Sequence, residues 1–189
     1  MLIFSVFALD SNIDEEKLSD LINRISDSDM DALETLYNKT KTNVFSFAYS
    51  ILKNKNDAED ITHDVYLCIY KSAKLYKKND SPMGWIITIT RNLSYRKLNK
   101  NKKTTTLNEK IFESRDNSDL SDEKIMLLDS INKLSNEESE IIVLHVVSGF
   151  KHDEIADILS IPSSTVRSKY RRALKKLKTE LTKGGAFHE

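Results

Sequence analysis

The sequence predicts an all-α protein: two small helical domains joined by a flexible linker, the C-terminal one a helix-turn-helix. Three observations carry this. The chain holds four Gly and two Pro in 189 residues, too few for a turn-rich β architecture and suited to long helices with short connections. Apolar residues recur at helical spacing in several segments, and no stretch alternates convincingly as a strand does. Between two such regions lies NKKTTTLNEKIFESRDNSDLS, residues 101–121, where the periodicity fades into polar and charged residues as it does in a tether. The expected domains are therefore 14–100 and 122–183, a length that suits two small cores.

Residues 14–25 (DEEKLSDLINRI) form the first helix, with Leu18, Leu21, Ile22 and Ile25 on one face. The polar run from Ser26 to Asp29 breaks it and offers an N-cap for the second. The second helix, about residues 31–52, sets Leu33, Leu36, Tyr37, Val44, Phe45, Ala48, Ile51 and Leu52 at helical spacing. A turn at Lys53–Asn56 follows. Asn56 and Glu59 have the spacing of a capping box. They open a third helix, about 57–76, with Ile61, Val65, Ile69 and Ala73 as its core stripe. After the polar loop 77–81, Ser81 caps and Pro82 begins a fourth helix to about Asn99. Its expected buried stripe is Trp85, Ile86, Ile89 and Leu93, with Asn92 at the margin as a structural polar group. Thr88, Arg91 and Tyr95 are expected outside.

Periodicity resumes at Asp122 with Ile125, Leu128, Ile131 and Leu134. Ser135 and Glu138 make a capping box for a helix that ends near Gly149. A short amphipathic segment around Glu154–Leu159 then stops at Ser160-Ile161-Pro162, and a long basic helix starts at Ser163. From Ser163 to Lys183 there are eight Lys or Arg and one acid, Glu180. Val166, Tyr170, Ala173, Leu174 and Leu177 form its apolar stripe. Ser164, Ser168, Arg171, Arg172 and Lys175 lie opposite, where hydroxyls and guanidinium groups suit phosphates and base edges. A short helix, a tight turn and a cationic helix make a helix-turn-helix.

Lys+Arg and Asp+Glu are both 29, so net charge is zero, but the charge is segregated. Residues 10–34 hold nine acids and two cations; residues 91–103 hold six cations and no acid. Such asymmetry points to partners of more than one kind. Cys68 is alone, which excludes a disulfide framework and a Cys-based zinc site and leads one to expect a cytoplasmic protein. Leu2–Leu9 is apolar but lacks a cationic leader and is too short to span a bilayer; no function is assigned to residues 1–13, and no stable membrane insertion is expected. His63-Asp64 resembles half of a metal-dependent hydrolase pair, yet no further ligands converge in that domain. No catalytic residue, metal or cofactor is expected.

Three runs resemble one family. Asn56-Asp57-Ala58-Glu59-Asp60-Ile61-Thr62-His63-Asp64 is similar to the D-A-E-D-(L/I)-x-Q-(E/D) core of bacterial RNA polymerase sigma factors. Gly84 to Leu93 (GWIITITRNL) resembles their W-(L/I)-x-x-I-x-R-N-x motif. Leu134–Gly149 with Glu154-Ile155-Ala156 and Ser164-Thr165-Val166-Arg167-Ser168 resembles their promoter-reading C-terminal domain. The resemblance covers about residues 18–181, and two domains alone point to the extracytoplasmic-function (ECF) subfamily of the sigma-70 family. It implies a protein that binds core RNA polymerase and directs transcription from particular promoters.

Position by position, the resemblance implies that Glu59, Asp60, His63 and Asp64 dock on the clamp-helix coiled coil of core polymerase. Four acids between Asp57 and Asp64 suit a cationic partner. His63 stands where the family more often has Gln. The resemblance implies −10 promoter DNA contacts for Lys77, Lys78, Asn79, Asp80, Thr88, Arg91, Tyr95, Arg96 and Lys97: cations along a path, Asn79 and Asp80 reading a flipped base, Tyr95 stacking. It implies −35 contacts for Ser164, Thr165, Arg167, Ser168, Arg171, Arg172 and Lys175, over an interior of Ile155, Ala156, Leu159, Val166 and Tyr170. Lys151 replaces the usual Ser/Thr cap that pairs with Glu154, and Ser160 replaces the usual Gly at a turn position that favours positive φ. An anti-sigma factor is implied as a further partner. The rival reading is a plain helix-turn-helix regulator acting without stable polymerase incorporation; it leaves the acidic third helix and the Trp85 helix unexplained.

Overall fold

The structure is a computed structural model that describes residues 14–77, 80–105 and 130–183. The described residues are helical, with short connections and no strand, as the sequence predicts. They fall into two compact units that divide between Asn99 and Lys100.

In the first unit, α1 (Glu15–Ser26), α2 (Met30–Leu52) and α3 (Lys55–Ser72) follow one another through tight turns. α1 starts where the Asp14 side chain accepts from Lys17 N–H, and α2 where Asp29 accepts from Ala32 N–H; each cap satisfies a donor that the first turn leaves unpaired. α2 stops at Lys53 in the left-handed region (φ 55°). Asn54 then caps α3 by accepting from Asp57 N–H at 2.9 Å. The cap is thus Asn54 rather than the expected Asn56, because Lys53 turns the chain so sharply that the helix restarts two residues later. A 3-10 turn (Ala73–Leu75) ends this run.

α1 packs on α2, and α2 on α3. The core holds Leu18, Ile22, Ile25, Leu36, Phe47, Ile51, Val65 and Ile69, all nearly or wholly inaccessible. Phe45 and Tyr37, expected inside, are half-buried, and Phe47 takes the interior place. Polar residues share this core. The buried Thr40 hydroxyl donates to the Leu36 carbonyl and meets the Tyr66 hydroxyl at 2.8 Å.

α4 (Pro82–Thr105) begins as expected, with Ser81 Oγ accepting from Gly84 N–H at 3.0 Å. Its buried face differs from expectation. Met83, Ile86, Ile87, Thr90 and Ser94 are inside, while Trp85, Ile89 and Leu93 are half-buried. A pattern read from apolar residues misses this face because Thr90 hides its hydroxyl by donating to the Ile86 carbonyl at 2.9 Å. Asn92, expected at the margin of the core, is exposed. α4 also continues into the stretch expected as linker: residues 100–105 contain no Gly or Pro, and Lys100 and Lys102 suit the negative end of a helix.

In the second unit, residues 130–132 close one helix, followed by α5 (Asn136–Val146), α6 (His152–Leu159) and α7 (Ser163–Lys183). The expected Ser135–Glu138 capping box is present. α5 ends through Gly149 at φ 74°, a conformation that costs glycine nothing, with Phe150 N–H donating to the Leu144 carbonyl. α6 ends through Ser160 at φ 56°, and Ile161 N–H donates to the Ala156 carbonyl. This is a Schellman turn with serine at the position that favours glycine. α7 packs on both α5 and α6 through Val166, Ala173 and Leu177.

Candidate docking and nucleic-acid interfaces

α3 positions four carboxylates within two turns because Asn54 sets its start and Ala58, Ile61, Val65 and Ile69 anchor the opposite side. Glu59, Asp60, His63 and Asp64 are all exposed, as a docking face requires. Asp57 and Asp60 also hold Lys97 of α4, at 3.0 and 3.3 Å. Hydrogen bonding from Asp57 chiefly raises the Lys97 ammonium above the ordinary lysine value; burial opposes this, and Asp60 adds to the rise. Lys97, expected on the −10 DNA path, is held on the acidic face by these two carboxylates. Beside these carboxylates runs a groove of about 300 Å³ lined by Tyr37, Lys41, Phe45, Glu59, Thr62 and His63. The His63 ring stacks over Tyr37 at 6.4 Å.

The segment before α4 is held by side chains. Tyr76 is buried, packs against Trp85 at 5.3 Å, and donates to the Asp80 carbonyl at 2.8 Å. Ser81 Oγ donates to Glu15 of α1 at 3.1 Å. Together these walls line an open cleft of about 440 Å³ whose lining includes Glu15, Glu16, Asp20, Asn23, Tyr76 and Asp80. Its carboxylates repel phosphate, so such a space suits donors on a base edge or a cationic side chain. Lys77, Asp80, Thr88 and Arg96 are exposed. Arg91 and Tyr95, expected outside, are half-buried, with the guanidinium 5.1 Å from the ring centre. Tyr95 is therefore already covered in part by Arg91. Lys78 and Asn79 lie outside the described residues.

On α7, Ser164, Arg167, Ser168, Arg171, Arg172 and Lys175 are exposed and Thr165 is half-buried. The expected interior is buried except for Tyr170, which is half-buried. Arg172 donates to Ser168 Oγ at 3.1 Å. Asp153 of α6 receives Ser163 Oγ and, at 3.1 Å, Arg167. The Ser163 bond chiefly holds the Asp153 carboxyl below its ordinary value; burial works against it and Arg167 assists. The cations on the α5 side of α7 are committed to the fold: Lys169 to Glu137 and Lys176 to Glu138. Lys151 has no side-chain acceptor for α6, but its own N–H donates to Glu154 at 2.6 Å. Half of the capping box therefore survives.

Sequence reasoning missed the groove at Tyr37 and Phe45, which it assigned to the core by spacing. It also missed the clasp of Lys97 on Asp57 and Asp60, which joins residues of different helices and leaves no local signal. No group of three or more metal-ligating side chains occurs among the described residues, and no helix among them is long and apolar enough to cross a membrane.

Two family models match this chain: Sigma-70 region 2 over residues 36–104 and Sigma-70, region 4 over residues 124–177. Similar curated proteins include the ECF RNA polymerase sigma factor SigK of Mycobacterium sp. (strain KMS), 25% identical over 84% of this chain and 87% of its own. The ECF sigma factor SigW of Bacillus subtilis (strain 168) is 23% identical over 85% and 94%. Among solved structures, the sigma factor RpoE in complex with the anti-sigma factor NepR from Bartonella quintana aligns with a TM-score of 0.64. It is 23% identical and covers 74% of this chain and 89% of its own. CnrH in complex with the cytosolic domain of CnrY aligns at 0.66, with 19% identity over 88% and 97%.

Proposed function

We propose, from the premise that this chain belongs to the sigma-70 family of RNA polymerase sigma factors and to its ECF group, that it joins core RNA polymerase and directs initiation at its own promoters. The observation that carries this reading is the pairing of two surfaces of opposite sign. The region 2 segment presents exposed Glu59, Asp60, His63 and Asp64; the region 4 segment presents exposed Arg171, Arg172 and Lys175 on the second helix of a helix-turn-helix. An acidic face suits a cationic protein partner and a basic helix suits DNA.

In this reading residues 14–100 carry polymerase docking and the −10 contacts. Residues 122–183 carry the −35 contacts, and 101–121 link them. Lys77, Lys78, Arg91 and Arg96 guide a melted strand, Asn79 and Asp80 read a flipped base, and Thr88 and Tyr95 contact the −10 element from α4. Lys97 joins this path when it leaves Asp57 and Asp60. Ser164, Thr165, Arg167, Ser168, Arg171, Arg172 and Lys175 face the −35 element. The role is one of binding, exercised in the cytoplasm, and an anti-sigma factor is a further partner by analogy with the RpoE–NepR complex.

The test is reconstitution. Purified chain added to core polymerase should give specific transcripts whose start sites define one promoter class. DNA binding with no association with polymerase would instead establish the plain helix-turn-helix regulator.

A further inference from the structure

One cluster in the second unit has no part in the reading above. His145, in the last turn of α5, stacks on His152, the first residue of α6, with ring centres 4.7 Å apart and planes 18° apart. Tyr170 of α7 meets them edge-on at 4.8 and 4.9 Å. α5, α6 and α7 thus contribute one ring each. His145 Nδ1 lies 2.8 Å from the Phe150 carbonyl, so the hydrogen-bond pattern assigns the proton to that nitrogen. His152 Nε2 is buried and has no hydrogen-bond partner.

Neutral, these rings pack as ordinary aromatic side chains. A proton on His152 changes that. Its charge would lie against a second imidazole, and a ring nitrogen with no acceptor beside it would become a committed donor. We infer that the His145–His152–Tyr170 cluster is an acid-sensitive latch, which seats α7 on α5 and α6 while His152 is neutral and loosens that seat when His152 takes up a proton.

The groups facing His152 agree in direction. Burial chiefly, then His145 from α5 and Arg167 from α7, hold its imidazole below the ordinary histidine value; Asp153, on α6 itself, works the other way. Asp153 is already engaged by Ser163 and Arg167, which shares out its charge. Tyr170 offers a ring to a cation, but both imidazoles lie against that one ring. A group depressed on folding supports the fold above its unfolded value, about 6.5, and that support is lost as pH falls through the lower folded value. Glu138 and Asp153 both sit below the usual carboxylate range and so stay ionised in this window.

The latch is a statement about the fold; its effect on −35 reading rests on the proposed function. It is tested by hydrogen exchange of the full chain from about pH 5 to 7.5, with protection corrected for intrinsic exchange. Protection of α5–α7 relative to α1–α3 should fall below about pH 6.5 by up to about tenfold per unit. His152→Phe, similar in shape and unable to take a proton, should flatten the profile. His152→Leu serves if the Phe variant does not fold. The wild-type imidazole, followed by NMR, should titrate below its value in the urea-unfolded chain. A flat wild-type profile, an equal slope in the variant, or a midpoint at or above the unfolded value overturns the latch. A chain that ignores polymerase defeats the proposed function and leaves these readouts intact.

Discussion

α3 and α7 present charge of opposite sign, and they hold it differently. On α3 the carboxylates of Glu59, Asp60 and Asp64 are exposed, and one cation from a neighbouring helix, Lys97, leans on Asp57 and Asp60. On α7 the cations are sorted by side. Lys169 and Lys176 pair with Glu137 and Glu138 of α5, while Arg171, Arg172 and Lys175 point away from that seam. The same residue type thus does two jobs on one helix, and position on the wheel decides which. An inventory of positive charge overstates what α7 can offer DNA.

The sharpest way to break this contrast is charge reversal on α3. Asp60→Lys with Asp64→Lys should cost polymerase binding about 3 kcal/mol or more, read by co-elution with core polymerase, and leave duplex binding unchanged. Equal loss in both assays would mean that α3 serves the fold. Next comes the seam. Glu138, 7% exposed, takes Lys176 at 2.8 Å and caps α5 through Ser135. Glu138→Ala should destabilise the second unit by about 2–3 kcal/mol in urea unfolding. Burial pushes the Glu138 carboxyl up, but Lys176 and Ser135 outweigh it and hold the group below its ordinary value. That contribution is therefore complete above about pH 4.5 and disappears as pH falls through the lower folded value; the Ala variant should lack this acid limb.

Arg171→Ala tests the outward side. It should weaken −35 binding by about 1–3 kcal/mol without moving the unfolding midpoint, whereas a shifted midpoint would assign Arg171 to the seam. Ser160→Gly should stabilise the second unit by up to about 1 kcal/mol, since serine holds φ 56° there. No gain would show that the turn is relaxed by its neighbours. Smallest is Lys97→Ala, about 0–1 kcal/mol of stability; a larger loss would make the clasp structural.

The all-α class, the order of helices and the interior of the second unit were legible because apolar spacing and caps are local signals. Ser135 with Glu138, and Ser81 with Pro82, announce their helices within four residues. The face of α4 was not legible, since Thr90 becomes apolar in effect only when its hydroxyl is returned to its own helix. Phe45 and Phe47 are equally hydrophobic, and only the packing of α2 on α3 decides between them. The exposed carboxylates of α3 follow from its capped start, but the attachment of Lys97 is tertiary. The α7 face was readable as a wheel; which of its lysines are spoken for depends on acids over thirty positions upstream.

The Lys97 clasp also bears on how binding responds to salt. An exposed carboxylate in solution gathers mobile cations, and a cationic partner releases them, which makes association weaken as ionic strength rises. Asp60 already has a counterion, and it is covalently part of the chain. A partner that takes Asp60 therefore displaces an ammonium that cannot diffuse away and sets free fewer small ions. Binding through this face should depend less steeply on salt than its four acids suggest, and the Lys97→Ala chain should restore the steeper dependence.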